Sequence, residues 1–245
     1  MVIPLVCPVH DTPGGIYLAE LVFAAGPASY IVPLVKLTRI PRATVNRLPL
    51  YLRVLERHPA DQATVSSKEL AELIKENSAK VRKDLSFLGS YGVRGVGYNV
   101  EHLRFQIRRE LGLTKIWPVI IVGAGNLGSA LARYGGFDAN GFSIVGIYDN
   151  DPGKIGTIIG DLTVGAMEDI SDDAKQLNVE IGIIATPVPD AQEVAEQLAE
   201  AGFKSILNFA PMVLRVSPQV EIRRVDLSTE LQILGYYVQQ SLAES

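Results

Sequence analysis

The stretch Val119 to Leu131, V-I-I-V-G-A-G-N-L-G-S-A-L, constrains this chain more than any other. Four β-branched residues in succession read as a buried strand, and Leu127, Ala130 and Leu131 open a helix behind it. Between them Gly123, Gly125 and Gly128 keep the spacing G-x-G-x-x-G. The glycines serve three different physical ends, namely a tight turn, close approach of backbone to a pyrophosphate, and close packing of helix on strand. The helix N-terminus adds free N–H groups and the positive end of its dipole. Glycine turns are common, but this one lies between a strand and a helix, 21 residues ahead of Asp149 at the end of the next apolar run. Gly123, Ala124, Gly125, Asn126, Leu127, Gly128 and Asp149 are therefore the candidate dinucleotide-binding residues. A carboxylate at Asp149 can accept hydrogen bonds from both adenosine ribose hydroxyls. With Asp151 close by and no arginine near, a 2′-phosphate would be repelled, which favours NAD(H) over NADP(H).

The rest of this module repeats the alternation. Phe142 to Tyr148, Ile181 to Ala185 and Ser205 to Phe209 read as strands, and Asp190 to Ala201 as a helix, which together predict a doubly wound parallel sheet. Hydride transfer usually needs a positioned acid or base. His10, His58 and His102 all lie outside the module, and no tyrosine has a lysine four residues on. About 115 residues leave no room for a separate substrate domain, so the module reads as a binder without catalytic residues. Cys7 is the single cysteine, which rules out an internal disulfide and a cysteine-rich metal site and fits a reducing cytoplasm.

The net charge of −4 hides a division. From Lys36 to Leu111 there are 15 Lys and Arg against 8 Asp and Glu; from Gly112 onward there are 8 against 17. A basic module is joined to an acidic one, and a basic module suggests a polyanionic partner. Within it Pro41 to Arg57 reads as a helix on Val45, Leu48, Leu52 and Leu55, with Pro49 either kinking it or marking its true first turn. Ser66 and Glu69 form a capping box ahead of a short helix through Leu70, Leu73 and Ile74. After a turn at Lys75 to Ser78, a third helix runs from Ala79 to Leu88 on the stripe Val81, Leu85 and Leu88, closed by Gly89. This is the outline of a helix-turn-helix, whose last helix would enter the major groove. Ser90 to Tyr98 alternates aromatic or β-branched residues with glycine, as a wing hairpin does, with Arg94 at its tip suited to a narrow minor groove. The candidate DNA contacts are Arg47, Ser78, Lys80, Arg82, Lys83, Ser86 and Arg94. A small bundle with solvated charges is the structural alternative. A further helix, Glu101 to Leu111, would lead into the next module.

The first 36 residues are apolar, rich in Pro and Gly, and follow no helical or strand period. Glu20, Pro27 and Pro33 interrupt their most membrane-like part, so no spanning helix is expected, and a signal peptide would need a cationic start that is missing. They read as a disordered extension or as an upstream start. At the other end Ser228 to Leu242 carries Leu231, Leu234, Val238 and Leu242 on one stripe. Such a helix packs on its own domain by default; here a dimer contact is the alternative, since a helix-turn-helix protein needs two copies to read two half-sites.

Val81 to Tyr98 (V-R-K-D-L-S-F-L-G-S-Y-G-V-R-G-V-G-Y), Gly123 to Leu131 and Ile206 to Pro211 (I-L-N-F-A-P) together resemble the Rex family of redox-sensing transcriptional repressors, from about Ile40 to the C-terminal helix. The resemblance implies a cytoplasmic homodimer with a winged-helix DNA-binding domain at 37–112 and a Rossmann NAD(H)-binding domain at 113–226. A C-terminal helix at 227–245 would be exchanged between subunits, and residues 1–36 have no family counterpart. It implies binding to palindromic double-stranded operator DNA when free or NAD⁺-bound, and release by NADH. It places Lys80, Arg82 and Lys83 on the recognition helix and Arg94 on the wing. Arg53, Tyr134 and Asp226 fall on a polar network that senses cofactor state. Leu227 departs from the family, where an aromatic residue is frequent. The competing expectations are an NAD-dependent oxidoreductase with a fused DNA-binding module, and a sensor of another adenine nucleotide such as a coenzyme A thioester.

Overall fold

In a computed structural model of the chain, residues 40–89, 92–93 and 95–243 are described, together with the backbone of three short strands nearer the start. Those strands, β1 (Leu5–Val6), β2 (Leu21–Phe23) and β3 (Tyr30–Ile31), pair antiparallel. At two or three residues each they are too short to write a period into the sequence. The rest of the expected extension lies outside the described residues. The chain divides into two compact units, Met1–Gly112 and Leu113–Ser245.

In the first unit the single helix expected over Pro41 to Arg57 is two, α1 (Arg42–Val45) and α2 (Leu48–Glu56). Pro49 stands in the first turn of α2, where its missing N–H leaves no helical bond unmade. The break rotates the core stripe: Val45 is 40 % exposed, whereas Thr44, Leu48, Tyr51, Leu52 and Leu55 are buried. A short strand β4 (Thr64–Val65) precedes α3 (Ser67–Ile74). The capping box forms as its sequence predicts: Glu69 N–H donates to Ser66 Oγ, and Ser66 N–H to Glu69 Oε2. Helix α4 (Ser78–Ser86) follows, capped by Asn77, whose Oδ1 accepts from Ala79 N–H. Val81, Leu85 and Leu88 are buried on its inner stripe, and Gly89, at φ +70°, ends the segment.

Beyond it Val93 and Gly97 form an antiparallel bridge, and β5 (Tyr98–Asn99) pairs with β4. Gly97 is obligatory here, because a Cβ would strike the Val65 carbonyl. Ser90, Tyr91 and the wing residue Arg94 lie outside the described residues. Helix α5 (Val100–Glu110) closes the unit, with Arg104 donating to the Leu55 carbonyl at the end of α2. Helix, turn, helix and hairpin make this a winged helix.

The second unit is a seven-stranded sheet. It contains β6 (Trp117–Val122), β7 (Phe142–Asp149), β8 (Ile158–Ile159), β9 (Leu162–Ala166), β10 (Ile181–Ile184), β11 (Ser205–Asn208) and β12 (Glu221–Arg224). The order is β12-β11-β10-β6-β7-β9-β8, all parallel except the β8–β9 pair. The chain runs outward from β6 through β7 to β9, then crosses to β10 and runs outward the other way. Helices α6 (Asn126–Ala132), α7 (Ile170–Gln176) and α8 (Val188–Glu200) make the crossovers. Because side chains alternate along a strand, β6 feeds two cores. Ile120 and Val122 pack with Ala191, Val194 and Leu198 on one face; Val119 and Ile121 pack with Ile147, Val164 and Ile183 on the other. The strand order reverses between β6 and β10, and in such sheets ligands bind outside the carboxyl ends of the strands at that crevice. A final helix, α9 (Leu227–Ala243), has no buried residue.

Candidate nucleic-acid interface and nucleotide site

Helix α4 carries Lys80, Arg82, Lys83 and Asp84 in sequence, and the fold sorts them. Lys80, Arg82 and Lys83 are exposed, while Asp84 is 2 % exposed. The Asp84 carboxylate accepts four hydrogen bonds: from Thr44 Oγ1 (2.8 Å), Arg47 Nε and Nη2 (2.6 and 2.7 Å) and Tyr51 Oη (2.7 Å). A carboxylate has about four acceptor positions, so Asp84 is saturated. Burial alone would raise its pKa; the bonds from Arg47, Tyr51 and Thr44 outweigh burial and hold it below the ordinary carboxylate range. Tyr51 is displaced the other way, by burial first and then by donation to Asp84. Helix α4 thus presents cations outward while its one acidic side chain pins it to α1 and α2.

One of the expected DNA contacts has a second engagement inside the unit. Arg47, read as a DNA contact, turns two of its nitrogens inward onto Asp84 and holds the unit together. Sequence reading passed over Asp84, although it stands three residues after Val81 and beside Leu85, on the buried stripe. Of the other candidates, Lys80 Nζ meets both carboxylate oxygens of Glu76 (2.9 and 3.0 Å). Arg82 reaches Ser67 Oγ at 3.3 Å, and Ser86 Oγ donates to the Lys83 carbonyl. Ser78 is half-buried in the first turn of α4. Surface pairs such as Lys80–Glu76 are worth at most about 1 kcal/mol and yield readily to phosphate.

In the other unit a cavity of about 540 Å³ opens at the carboxyl ends of β6, β7 and β10. The three glycines do three different things there. Gly123 has φ +103°, and a Cβ on it would come within 2.8 Å of the Ala185 carbonyl group. A Cβ on Gly128 would collide with the Gly123 carbonyl oxygen, so only glycine lets α6 sit this close to β6. Gly125 meets nothing within 4 Å, and its place at the cavity wall leaves the approach to the backbone clear. Helix α6 has no side-chain cap, so its first-turn N–H groups are left for a ligand at the cavity; α8 offers less, because Pro189 carries no N–H and the Asp190 N–H donates to the Pro187 carbonyl. Thr186 Oγ1, in the same wall, is buried without a hydrogen-bond partner. Uncapped N–H groups, an open glycine and an orphaned hydroxyl fit the pyrophosphate of a dinucleotide.

Asp149 ends β7 with 6 % exposure, and its carboxylate is already engaged. Oδ2 accepts from Ala124 N–H (2.7 Å) and Lys154 Nζ (3.0 Å), and Oδ1 from Asp151 N–H (2.9 Å). Burial pushes its pKa up; the Asp151 N–H, Lys154 and the Ala124 N–H outweigh that and hold it low. Gly123, Gly125, Asn126 and Asp149 line the cavity; Ala124, Leu127 and Gly128 do not. The Ala124 N–H is spent on Asp149, and Gly128 serves packing. Lys154, together with Asp190 and Glu193 of α8, joins the lining. No arginine was expected near Asp149, but a cation does stand there, and it is Lys154.

The three relay candidates lie apart in kind. Arg53 is exposed on α2 and lines a second cavity with Leu50, Val54 and Arg57. Tyr134 is 59 % exposed, with its ring edge-on to Phe137. Asp226 Oδ1 caps α9, accepting from Ser228 N–H, Ser228 Oγ and Thr229 N–H. Among the described residues no hydrogen bond joins Tyr134 to Asp226. Nor does any group of His, Cys, Asp and Glu among them suit a metal ion.

Comparison with known proteins bears on both units. Residues 114–212 match the family described as "CoA binding domain", and residues 39–86 the family described as "Putative DNA-binding protein N-terminus". The redox-sensing transcriptional repressor Rex of Streptomyces coelicolor is 53 % identical over 206 residues, covering 84 % of this chain and 80 % of that protein. Rex of Pelotomaculum thermopropionicum is 47 % identical over 211 residues, covering 86 % and 99 %. Among solved structures, the repressor RSP in complex with β-NAD⁺ and operator DNA matches with a TM-score of 0.78 at 37 % identity, covering 84 % of this chain and 95 % of that one. RSP in complex with β-NADH matches with a TM-score of 0.74 at the same identity, covering 84 % and 97 %.

Two consequences are measurable. Asp84→Asn leaves Arg47 half-buried without its counter-charge, and by analogy with other broken buried pairs should cost about 3 kcal/mol in urea unfolding at neutral pH. In the wild type the Asp84 contribution is complete above the unfolded carboxylate pKa of about 3.9 and fades as the pH falls through the lower folded value; the Asn variant should lose that part of the acid dependence. The glycines should separate: Gly128→Ala forces α6 off β6 and should lower stability by about 1–3 kcal/mol. Gly125→Ala should leave the melting temperature near wild type while weakening dinucleotide binding in calorimetric titration.

Proposed function

Because this chain belongs to the Rex family of redox-sensing transcriptional repressors, we propose that it is a homodimeric repressor of the cytoplasm whose grip on operator DNA is set by the NADH/NAD⁺ ratio. The observation that carries the reading is the sorting of charge on α4, whose cations face outward and whose only carboxylate is saturated inside. Residues 37–112 would bind DNA, 113–226 would bind NAD(H), and 227–245 would dimerise. Lys80, Arg82 and Lys83 would meet phosphates and base edges, with Ser78 and Ser86 at the two ends of the same face and Arg94 on the wing.

The exposed stripe of α9 supports the dimer. Leu231, Leu234, Val238 and Leu242 are 59–72 % exposed, an apolar surface of the kind that marks an interaction site. A second copy would cover it and would supply the second recognition helix that a palindromic site requires. No helix among the described residues is long and apolar enough to cross a membrane.

NAD(H) would supply the redox signal itself, a cationic ring when oxidised and a neutral one when reduced. The uncapped start of α6 and the Thr186 hydroxyl would hold its pyrophosphate, and Asp149 its adenosine ribose. A ligand shifts a two-state equilibrium only through its difference in affinity for the two states. NADH would favour the state in which the two winged helices of a dimer leave operator register. Arg53, Tyr134 and Asp226 would carry the change between the parts. The cavity is read as binding its nucleotide without turning it over.

The test is a gel shift on operator-type DNA titrated separately with NADH, NAD⁺ and acetyl coenzyme A. NADH should release the DNA and NAD⁺ should not. Release by acetyl coenzyme A alone would overturn the redox reading in favour of a thioester sensor, the alternative that the match to a CoA binding domain keeps open. Lys83→Ala should weaken operator and random DNA alike and reduce the salt slope of binding by about one. Arg53→Ala should bind operator normally but need more NADH for release; unchanged release would remove Arg53 from the relay.

A further inference from the structure

Resting on the reading that the cavity takes NAD(H), we infer that Lys154 sets the margin by which it prefers a free ribose diol over a ribose 2′-phosphate. The argument begins with the capacity of Asp149. Three of its roughly four acceptor positions are filled, by Ala124 N–H, Asp151 N–H and Lys154 Nζ. A ribose offers two hydroxyl donors, so one existing partner must yield. Two of the three are backbone amides fixed by the fold. Lys154, 40 % exposed on a flexible side chain, is the partner that can move.

The loop from β7 is built to return Lys154 to this place. Asp151 Oδ1 accepts from Gly153 N–H, and the Asp151 carbonyl accepts from both Lys154 N–H and Ile155 N–H. The turn lays the lysine back over the strand end, with Nζ 3.0 Å from Asp149 and 3.9 Å from Asp151. At this end of the cavity two carboxylates therefore share one ammonium. A 2′-phosphate meets a net single negative charge and a cation already placed beside it, rather than two bare carboxylates. Lys154 competes with the ribose for Asp149 and, by the same charge, softens the rejection of the phosphate. Asp151 works in the opposite sense, since its carboxylate takes up part of that charge.

Two substitutions separate these effects. Lys154→Met frees an acceptor on Asp149 and leaves both carboxylates uncompensated. Asp151→Asn removes one carboxylate but keeps the backbone N–H and a side-chain oxygen for Gly153. Equilibrium binding of NADH and NADPH, read by nicotinamide fluorescence at fixed low salt, gives the ratio of their dissociation constants; melting of the ligand-free proteins reports on the loop. The NADPH-to-NADH ratio should rise about tenfold in Lys154→Met and fall about tenfold in Asp151→Asn, with both changes shrinking at high salt. A ratio unchanged in both variants would overturn the inference. So would a Lys154→Met protein that melts early and loses both nucleotides equally, since Lys154 would then be only a brace. If the wild type bound neither nucleotide, the NAD(H) reading itself would fail and this inference with it; a wild type that binds NADH while the ratio ignores both substitutions sinks this inference alone.

Discussion

The approach of α6 to β6 at Gly128 is the constraint on which the nucleotide unit depends. No side-chain atom fits between that residue and the Gly123 carbonyl, so backbone meets backbone. The turn can then fold tightly enough for the Ala124 N–H to reach Asp149 across the neighbouring strand end. The first turn of α6 is aimed at the crevice by the same geometry. From the far side β10 closes in on Gly123 through Ala185. A cavity with uncapped N–H groups at its edge is the product of these close approaches, and it needs no charged side chain of its own to receive phosphate.

Two buried aspartates show how one residue type is put to different ends. Asp84 has every acceptor position filled by side chains from α1, the following turn and α2. Such a group has nothing left to offer a ligand; it fixes the rotation of α4 and keeps negative charge away from the surface that would face a polyanion. Asp149 is nearly as buried, but one position stays open and a second is held by a lysine that can leave. A saturated carboxylate supports structure, whereas an incompletely satisfied one is ready to exchange partners.

The sequence was most legible where a local pattern had a single geometric solution. The glycine spacing, the capping box at Ser66 and Glu69, and the stripe Val81, Leu85 and Leu88 all appear in the structure at those residues. The elements passed over are short or lie at edges. Glu221-Ile222-Arg223-Arg224 is a charged edge strand with no apolar run to announce it, and β8 and β9 are brief partners beside β7. Long-range partners were hidden for another reason. Nothing near Asp84 in the chain points to Arg47, 37 residues away, and an arginine on a basic module reads naturally as a surface charge. Lys154 escapes a reading that looks only for arginine. The Asp-Pro-Gly turn that brings it back to Asp149 acts through backbone bonds that residue spacing does not reveal.

Helix α9 is a 17-residue element with no buried side chain, and helices in proteins draw most of their stability from tertiary packing. Its own unit gives it an N-terminal cap at Asp226 and little else. Its order must therefore be borrowed from whatever covers its apolar stripe. If that cover is another copy of the chain, the helix content of the protein becomes a function of dilution, and the state of this 17-residue helix follows how much of the protein a cell contains. Abundance would then be a second input to the same molecule.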